Sequence, residues 1–305
     1  MDMNSNYVIN FTKCTDTSIT ASNRIAKWLS AQTGFPLIDD MASAVKASAG
    51  ETKLLLIVNG MFGFCDFRNH ITQMAEKAEH IVWIGNDYAI KVPSQLKKIM
   101  AGRSNTLIAQ YSNADYTLFP NYHTLDWNKL TYHPHQKPKA MKYPGLMYYG
   151  AYREQRARLF QHYLKPNDLF DIYVSTSSRN ISAFKSHNPE IKFMKNMGNL
   201  VGTIGQFQFT VYIHDDMPTG TAVTPANRFY ECLSAGVLMF FDHETKPSFD
   251  RMGIDISPWI VASQEDIAEK MLNYKQLRQL QNDKLRNRNY LKELEKEFAD
   301  IYKKL

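Results

Sequence analysis

The chain has 305 residues, 44% hydrophobic and 22% charged, which is enough apolar material for about two domains and too much for a disordered chain. Its formal charge is +6, and its three cysteines, Cys14, Cys65 and Cys232, lie far apart. That spacing excludes a disulfide scaffold and a Cys-x-x-Cys zinc site, and makes a reducing cytoplasm the expected setting. No apolar run approaches the ~18 residues that span a bilayer, and Met1 to Asn10 lacks a basic stretch ahead of an apolar core.

The first part alternates strand and helix signals. Tyr7 to Lys13 reads as a strand. Ile25, Trp28 and Leu29 then give a helix one apolar face, with Ser18 or Thr20 as its expected N-cap. Lys53 to Asn59 is a continuous Leu/Ile/Val run closed by Asn59-Gly60. His70 to Glu79 reads as a helix and Ile81 to Ile84 as a buried strand ending in Gly85-Asn86-Asp87. Pro93 opens a short helix, and Thr106 to Gln110 and Tyr116 to Phe119 are further strands. Short apolar strands separated by helices predict a parallel sheet covered on both faces.

Asp126 to Pro144, with Pro134, Pro138 and Pro144, interrupts the alternation, which then restarts. Leu146 to Tyr149, Leu169 to Val174, Ile191 to Met194, Phe207 to Ile213 and Val237 to Phe241 read as strands. Arg153 to Leu164 and Ala226 to Ala235 read as helices. The tail carries an apolar stripe, Leu291, Leu294, Phe298, Ile301 and Leu305, at helical spacing. The expected organisation is an α/β chain with a doubly wound domain over 1–125, a linker over 126–144, a second such domain over 145–275, and a C-terminal helical segment over 276–305 that crosses back to the first. Two such domains leave a cleft between them, and ligands of these folds bind beyond the carboxyl ends of the strands.

Charge is uneven. Between Lys129 and Lys165 there are eight basic residues and one acid, Glu154. A local positive field of this kind points to phosphates, on a nucleotide or on a nucleic acid.

The most informative stretch runs from Thr224 to Asp242. Thr224 is the expected helix cap and Pro225 its first position, Phe229 and Leu233 form a buried face, and Gly236 ends the helix before a buried strand. Asn227, Arg228 and Glu231 share the other face. The helix start offers free N–H groups and a positive dipole end to a diphosphate, and Glu231 suits the two hydroxyls of a ribose. The same residues also read as an exposed i, i+3 ion pair. At other strand ends, Asp87 is a candidate base for an acceptor hydroxyl, Arg179 a candidate phosphate contact, and His214, Asp215 and Asp216 weak metal candidates. Asn59-Gly60-Met61-Phe62-Gly63 is not a dinucleotide fingerprint, and His133 and His135 read as solvated.

The segment TPANRFYECLSAGVLMFFD resembles the nucleotide-sugar-binding helix of GT-B glycosyltransferases of the group 1 type. GLMYYGAYREQRARLFQHYL resembles the first strand–Gly–basic–helix unit of their donor domain. The resemblance implies a GT-B fold, two Rossmann-like domains facing a central cleft. It implies that Glu231 holds the donor ribose, and that Gly150, Arg153, Arg156, Asn227 and Arg228 meet the diphosphate of a UDP-sugar, with Arg153 and Asp87 as catalytic residues. No metal or other cofactor is expected. Many retaining members carry a second glutamate where this chain has Val223; a retaining outcome is still the expectation. The basic stripe makes double-stranded DNA carrying hydroxymethylated bases the favoured acceptor, as in phage-type DNA-modifying glycosyltransferases, with Lys137, Lys139 and Lys142 as candidate DNA contacts. A cell-surface glycan or protein acceptor, and a non-catalytic nucleic-acid-binding protein on the same scaffold, are the alternatives.

Overall fold

The computed structural model describes residues 5–12, 21–59, 64–85, 92–110, 118–133, 142–194, 200–213 and 224–305. These divide into two compact units. One holds the described residues up to Leu130 together with Lys292–Leu305, and the other the described residues between Thr131 and Leu291.

The first unit is built on strands β1 (Asn6–Asn10), β2 (Leu37–Ile38), β3 (Leu54–Asn59), β4 (His80–Gly85), β5 (Thr106–Ala109) and β6 (Asn121–Thr124), with helices α1 (Ala21–Thr33), α2 (Met41–Ser48), α3 (Arg68–Lys77) and α4 (Ser94–Met100). The strands pair in parallel in the order β2-β1-β3-β4-β5-β6. Alternation along each strand sends residues to opposite faces. Ile9, Leu55, Ile57, Ile81 and Trp83 pack with residues of α2, α3 and α4, while Val8, Leu56, Val58, Val82 and Ile84 pack with α1. Leu294, Phe298 and Ile301 of the last helix, α12 (Tyr290–Tyr302), join that second face. Their spacing of three and four residues places them on one stripe.

The second unit repeats the plan with β7 (Tyr143–Tyr149), β8 (Ile172–Ser175), β9 (Lys192–Met194), β10 (Phe207–Tyr212), β11 (Leu238–Asp242) and β12 (Ile260–Val261). Its helices are α5 (Ala157–Tyr163), α6 (Ile181–His187), α7 (Leu200–Ile204), α8 (Asn227–Ala235), α9 (Lys246–Arg251), α10 (Gln264–Leu272) and α11 (Tyr274–Gln281). The strands pair in parallel in the order β12-β11-β10-β7-β8-β9, and one aromatic-rich core runs through the unit.

Several expectations need correction. Among the described residues the edge strand of the first sheet is Asn121–Thr124, polar and partly exposed because it is an edge; Leu118 and Phe119 of the expected Tyr116–Phe119 strand are not strand, and Tyr116 and Thr117 lie outside the described residues. The segment beginning at Asp126, expected as a linker, is packed at its start. Asp126, Trp127, Asn128, Lys129 and Thr131 are buried in and beside a short 3-10 turn, and from Tyr143 the chain is already strand. The Arg153–Leu164 helix splits into a 3-10 turn over Glu154–Arg156 and α5. The positive field between Lys129 and Lys165 is thinner than its sequence count. Lys129 is buried and its ammonium lies 2.7 Å from Glu297 and 3.6 Å from Glu293. Arg158 lies 2.5 Å from Glu244, and Arg156 is buried.

Candidate functional site

In the second sheet, successive strands step outward in one direction from β7 and in the other from β10. The two neighbours β7 and β10 therefore flank the point where the winding reverses, the place where open α/β sheets bind ligands at their carboxyl ends. β7 ends at Tyr149, and Gly150 follows it. Beyond β10 the chain returns as α8.

α8 is less amphipathic than its spacing implies. Seven of its nine residues are buried, Arg228 among them, and only Asn227 and Glu231 are partly exposed. Its start also differs from expectation. Ala226 is the N-cap, without a side-chain capping bond, so neither Thr224 nor Pro225 holds its predicted place. The Ala226 N–H instead donates to the Tyr212 hydroxyl at the end of β10, 2.8 Å away. Gly236 ends the helix in the left-handed conformation (φ 68°), as its position after the apolar run implies.

Arg228 does not form an exposed pair with Glu231. Its guanidinium lies over the rings of Tyr148 and Tyr212, 5.7 Å and 5.3 Å from their centres, and donates to the Tyr148 hydroxyl at 3.1 Å. Arg156 donates to the same hydroxyl at 2.8 Å. Two guanidinium groups thus converge on one phenol oxygen. Having accepted two hydrogen bonds, Tyr148 keeps its own proton to donate. The Arg228 Nε and the Asn227 Oδ1 are buried and have no hydrogen-bond partner among the described residues. Buried donors of like charge gathered at a helix start favour an oxyanion, which would both separate the two cations electrically and satisfy the open donor.

Glu231, one turn into α8, accepts a hydrogen bond from the Tyr149 hydroxyl. Burial, followed by the Glu231 charge, holds the Tyr149 pKa well above the usual tyrosine value, so this phenol remains the donor throughout the neutral range. One carboxylate oxygen is thereby engaged and the group is oriented. Gly150 has φ +140° and sits against both elements. A Cβ there would lie 3.2 Å from the Tyr148 hydroxyl and 3.6 Å from the Arg228 Nη1, so the turn requires glycine for its conformation and for its closeness.

The structure therefore gathers Gly150, Arg156, Arg228 and Glu231, with Asn227 at the same helix start. Arg153 lies just beyond, exposed, at the N-cap of the 3-10 turn. Lys142 is exposed at the foot of β7. Asp87, Lys137, Lys139, His135, His214, Asp215, Asp216, Val223, Ser18 and Thr20 lie outside the described residues. Sequence reasoning does not single out Tyr148 and Tyr149. Their signal is a polar-tipped aromatic pair immediately before the glycine of a strand–turn unit. Among the described residues no three His, Cys, Asp or Glu side chains stand together as metal ligands, and none of the helices is long and apolar enough to cross a membrane.

No protein-family model matches the chain, and no curated protein matches it. Solved structures match along nearly its whole length. A DNA-modifying beta-glucosyltransferase, solved in the presence and absence of uridine diphosphoglucose, is 16% identical with a TM-score of 0.72, over 96% of this chain and 97% of that one. T4 phage BGT in complex with UDP and Mn2+ is 15% identical with a TM-score of 0.65, over 98% of each chain. An alpha-glucosyltransferase in complex with UDP and a 13-mer DNA containing a central A:G mismatch is 11% identical with a TM-score of 0.57, over 96% and 95%. The fold of this chain is the GT-B fold of these glycosyltransferases, and among the described residues it shows two parallel-sheet α/β domains of six strands each.

Proposed function

We propose that the chain is a nucleotide-sugar-dependent glycosyltransferase that uses a UDP-sugar, with a hydroxymethylated base in double-stranded DNA as the favoured acceptor. The observation that carries the donor reading is the meeting of Glu231, Arg228 and Arg156 around Tyr148, Tyr149 and Gly150 at the winding reversal of the second sheet. In this reading the ribose hydroxyls bind the Glu231 carboxylate, and the diphosphate lies against the start of α8, within reach of Arg228, Arg156 and Arg153.

As the bond between the anomeric carbon and the diphosphate breaks, negative charge grows on the leaving oxygen. Guanidinium groups already fixed by Tyr148 stabilise that charge without reorganising. A new bond forms between the anomeric carbon and the acceptor oxygen, whose proton passes to a carboxylate, for which Asp87 beyond β4 is the candidate. The charge of the diphosphate is met in this scheme by arginines and the helix start, so no step is routed through a metal. The DNA reading is supported by the names of two neighbours, a DNA-modifying enzyme and a DNA complex. Those neighbours are a beta- and an alpha-glucosyltransferase, so the fold is compatible with either stereochemical outcome.

The deciding experiment is UDP release from UDP-sugars with no acceptor, with unmodified duplex and with hydroxymethylated duplex, followed by mass spectrometry of the bases. Sugar on the hydroxymethylated base is the expected result. Transfer only to a free saccharide overturns the DNA acceptor and keeps the transferase. Absence of UDP binding overturns both.

A further inference from the structure

A cavity of about 260 Å³ opens on the β8 side of Gly150. It shares Tyr149 and Gly150 with the site above and is completed by the segment after β8, notably Thr176, Ser177, Arg179 and Asn180. None of the described residues lining it is acidic, and Arg179 is its charged group. That guanidinium is exposed and makes no hydrogen bond or ion pair among the described residues.

Asn180 sets the polarity of the wall. Its amide nitrogen donates to the Thr176 hydroxyl at 3.1 Å and to the Ser177 hydroxyl at 3.0 Å. Both amide hydrogens are used, so each hydroxyl oxygen already accepts, and each keeps its own proton to give away. The nearby Gly150 N–H is taken by the Ser175 carbonyl, 3.1 Å away, which ties the end of β7 to the end of β8 and fixes the opening. A wall of hydroxyl protons and one open guanidinium, with no carboxylate, selects an oxyanion. The larger cavity at the ends of β11 and β12 differs in each respect: the Asp242 carboxylate lines it, and its Arg158 is already paired with Glu244.

In the donor reading the diphosphate has its own cations, Arg156 and Arg228, which meet at the Tyr148 hydroxyl. We infer that the β8-side cavity is a separate phosphate subsite, and that it holds a backbone phosphodiester of the nucleic-acid acceptor next to the target nucleotide. Arg, Ser, Thr and Asn side chains are the groups that position a strand through its phosphates. The inference rests on the DNA reading above, and it places an acceptor contact in the donor domain.

The test compares the whole chain with Arg179→Ala and Asn180→Asp, the latter putting a carboxylate where the two hydroxyls now receive amide hydrogens. Binding of a fluorescent hydroxymethylated duplex is followed across a salt series, and UDP binding is followed by calorimetry. With one phosphate fewer neutralised, the log–log salt slope should flatten by about 0.9 and duplex binding should weaken several-fold at low salt. UDP affinity should stay within twofold. Unchanged duplex affinity and slope in Arg179→Ala, with the wild type binding DNA normally, overturns the subsite and leaves the DNA reading standing. Weakened UDP with unchanged duplex binding also overturns it, and gives the cavity to the donor. A wild type that binds no duplex even at low salt overturns the DNA reading and the subsite with it.

Discussion

The Tyr149 hydroxyl, on the last residue of β7, donates to the Glu231 carboxylate on α8. One strand end thereby fixes the orientation of the helix residue proposed to hold the ribose, while the preceding residue, Tyr148, fixes both buried arginines. Two consecutive tyrosines thus divide the proposed donor site, one serving the sugar ring of the nucleoside and the other its phosphates.

Glu231→Ala should weaken UDP binding by roughly 10- to 100-fold, the equivalent of about 1.5–3 kcal/mol for hydrogen bonds to a charged group. Glu231 is half-buried and helical, so the alanine variant should keep its fold. Calorimetry reads the affinity directly, and an unchanged value would remove Glu231 from the donor site.

Tyr149→Phe keeps the ring and deletes the bond to Glu231. The donor KM should rise a few-fold, in line with the ~0.5–1.5 kcal/mol of a typical hydrogen bond, while kcat stays within about twofold. A role confined to packing would instead lower the Tm and leave KM where it is.

Arg153→Ala should lower kcat more than it raises KM, because the charge it meets grows in the transition state. Arg156→Ala and Arg228→Ala should do the same and also lower the Tm, since both side chains are buried on Tyr148. Chelation should leave the rate nearly unchanged. A strict need for a divalent ion, abolished on replacing Asp215 and Asp216, would show that the arginines do not carry the diphosphate alone.

Charge reversal at Lys137, Lys139 and Lys142 should flatten the salt dependence of duplex binding by about 0.9 for each phosphate that is no longer neutralised. UDP affinity should not move. Gel shifts over a salt series measure the slope, and a triple variant matching the wild type would take these lysines off the DNA.

Alkali offers a test of the core. Tyr163 is fully buried, with its hydroxyl 2.5 Å from the Asp242 carboxylate and 3.0 Å from the Val261 carbonyl. Burial, then the bond to Asp242, raises its pKa above the ordinary 10.0. Above that pH the unfolded chain loses this proton and the folded chain keeps it. Stability from this group is therefore complete below pH 10 and falls as pH rises, by about 1.4 kcal/mol per pH unit. Urea midpoints at rising pH should show the decline, and Tyr163→Phe should be less stable at neutrality but lack its share of the slope.

The central strands of both sheets are legible in the sequence because a parallel sheet covered on both faces demands continuous apolar runs, as in Leu54–Asn59 and Leu238–Asp242. The two-residue β2 and the polar edge β6 leave no such signature. In the site, spacing puts Asn227, Arg228 and Glu231 on one face of α8, and that grouping holds for Asn227 and Glu231. Spacing cannot tell that Arg228 is buried, because the reason lies in distant residues: the rings of Tyr148 and Tyr212 and the hydroxyl of Tyr148 give a guanidinium the surroundings that burial requires. The eight basic residues around the middle of the chain are plain to count, but the partners of Lys129, Glu293 and Glu297, stand far along the sequence.

The return of Lys292–Leu305 to the first unit bears on how the protein is made. Leu294, Phe298 and Ile301 complete one face of the first sheet, and Glu293 and Glu297 supply the partners of the buried Lys129. On the ribosome, the unit that emerges first must therefore wait with an open apolar face and an unpaired ammonium until the whole of the second unit has been synthesised. The later unit can close its own core sooner, so the order of completion should be the reverse of the order of emergence. Chains released just before Lys292 should carry a finished second unit and an unfinished, aggregation-prone first one.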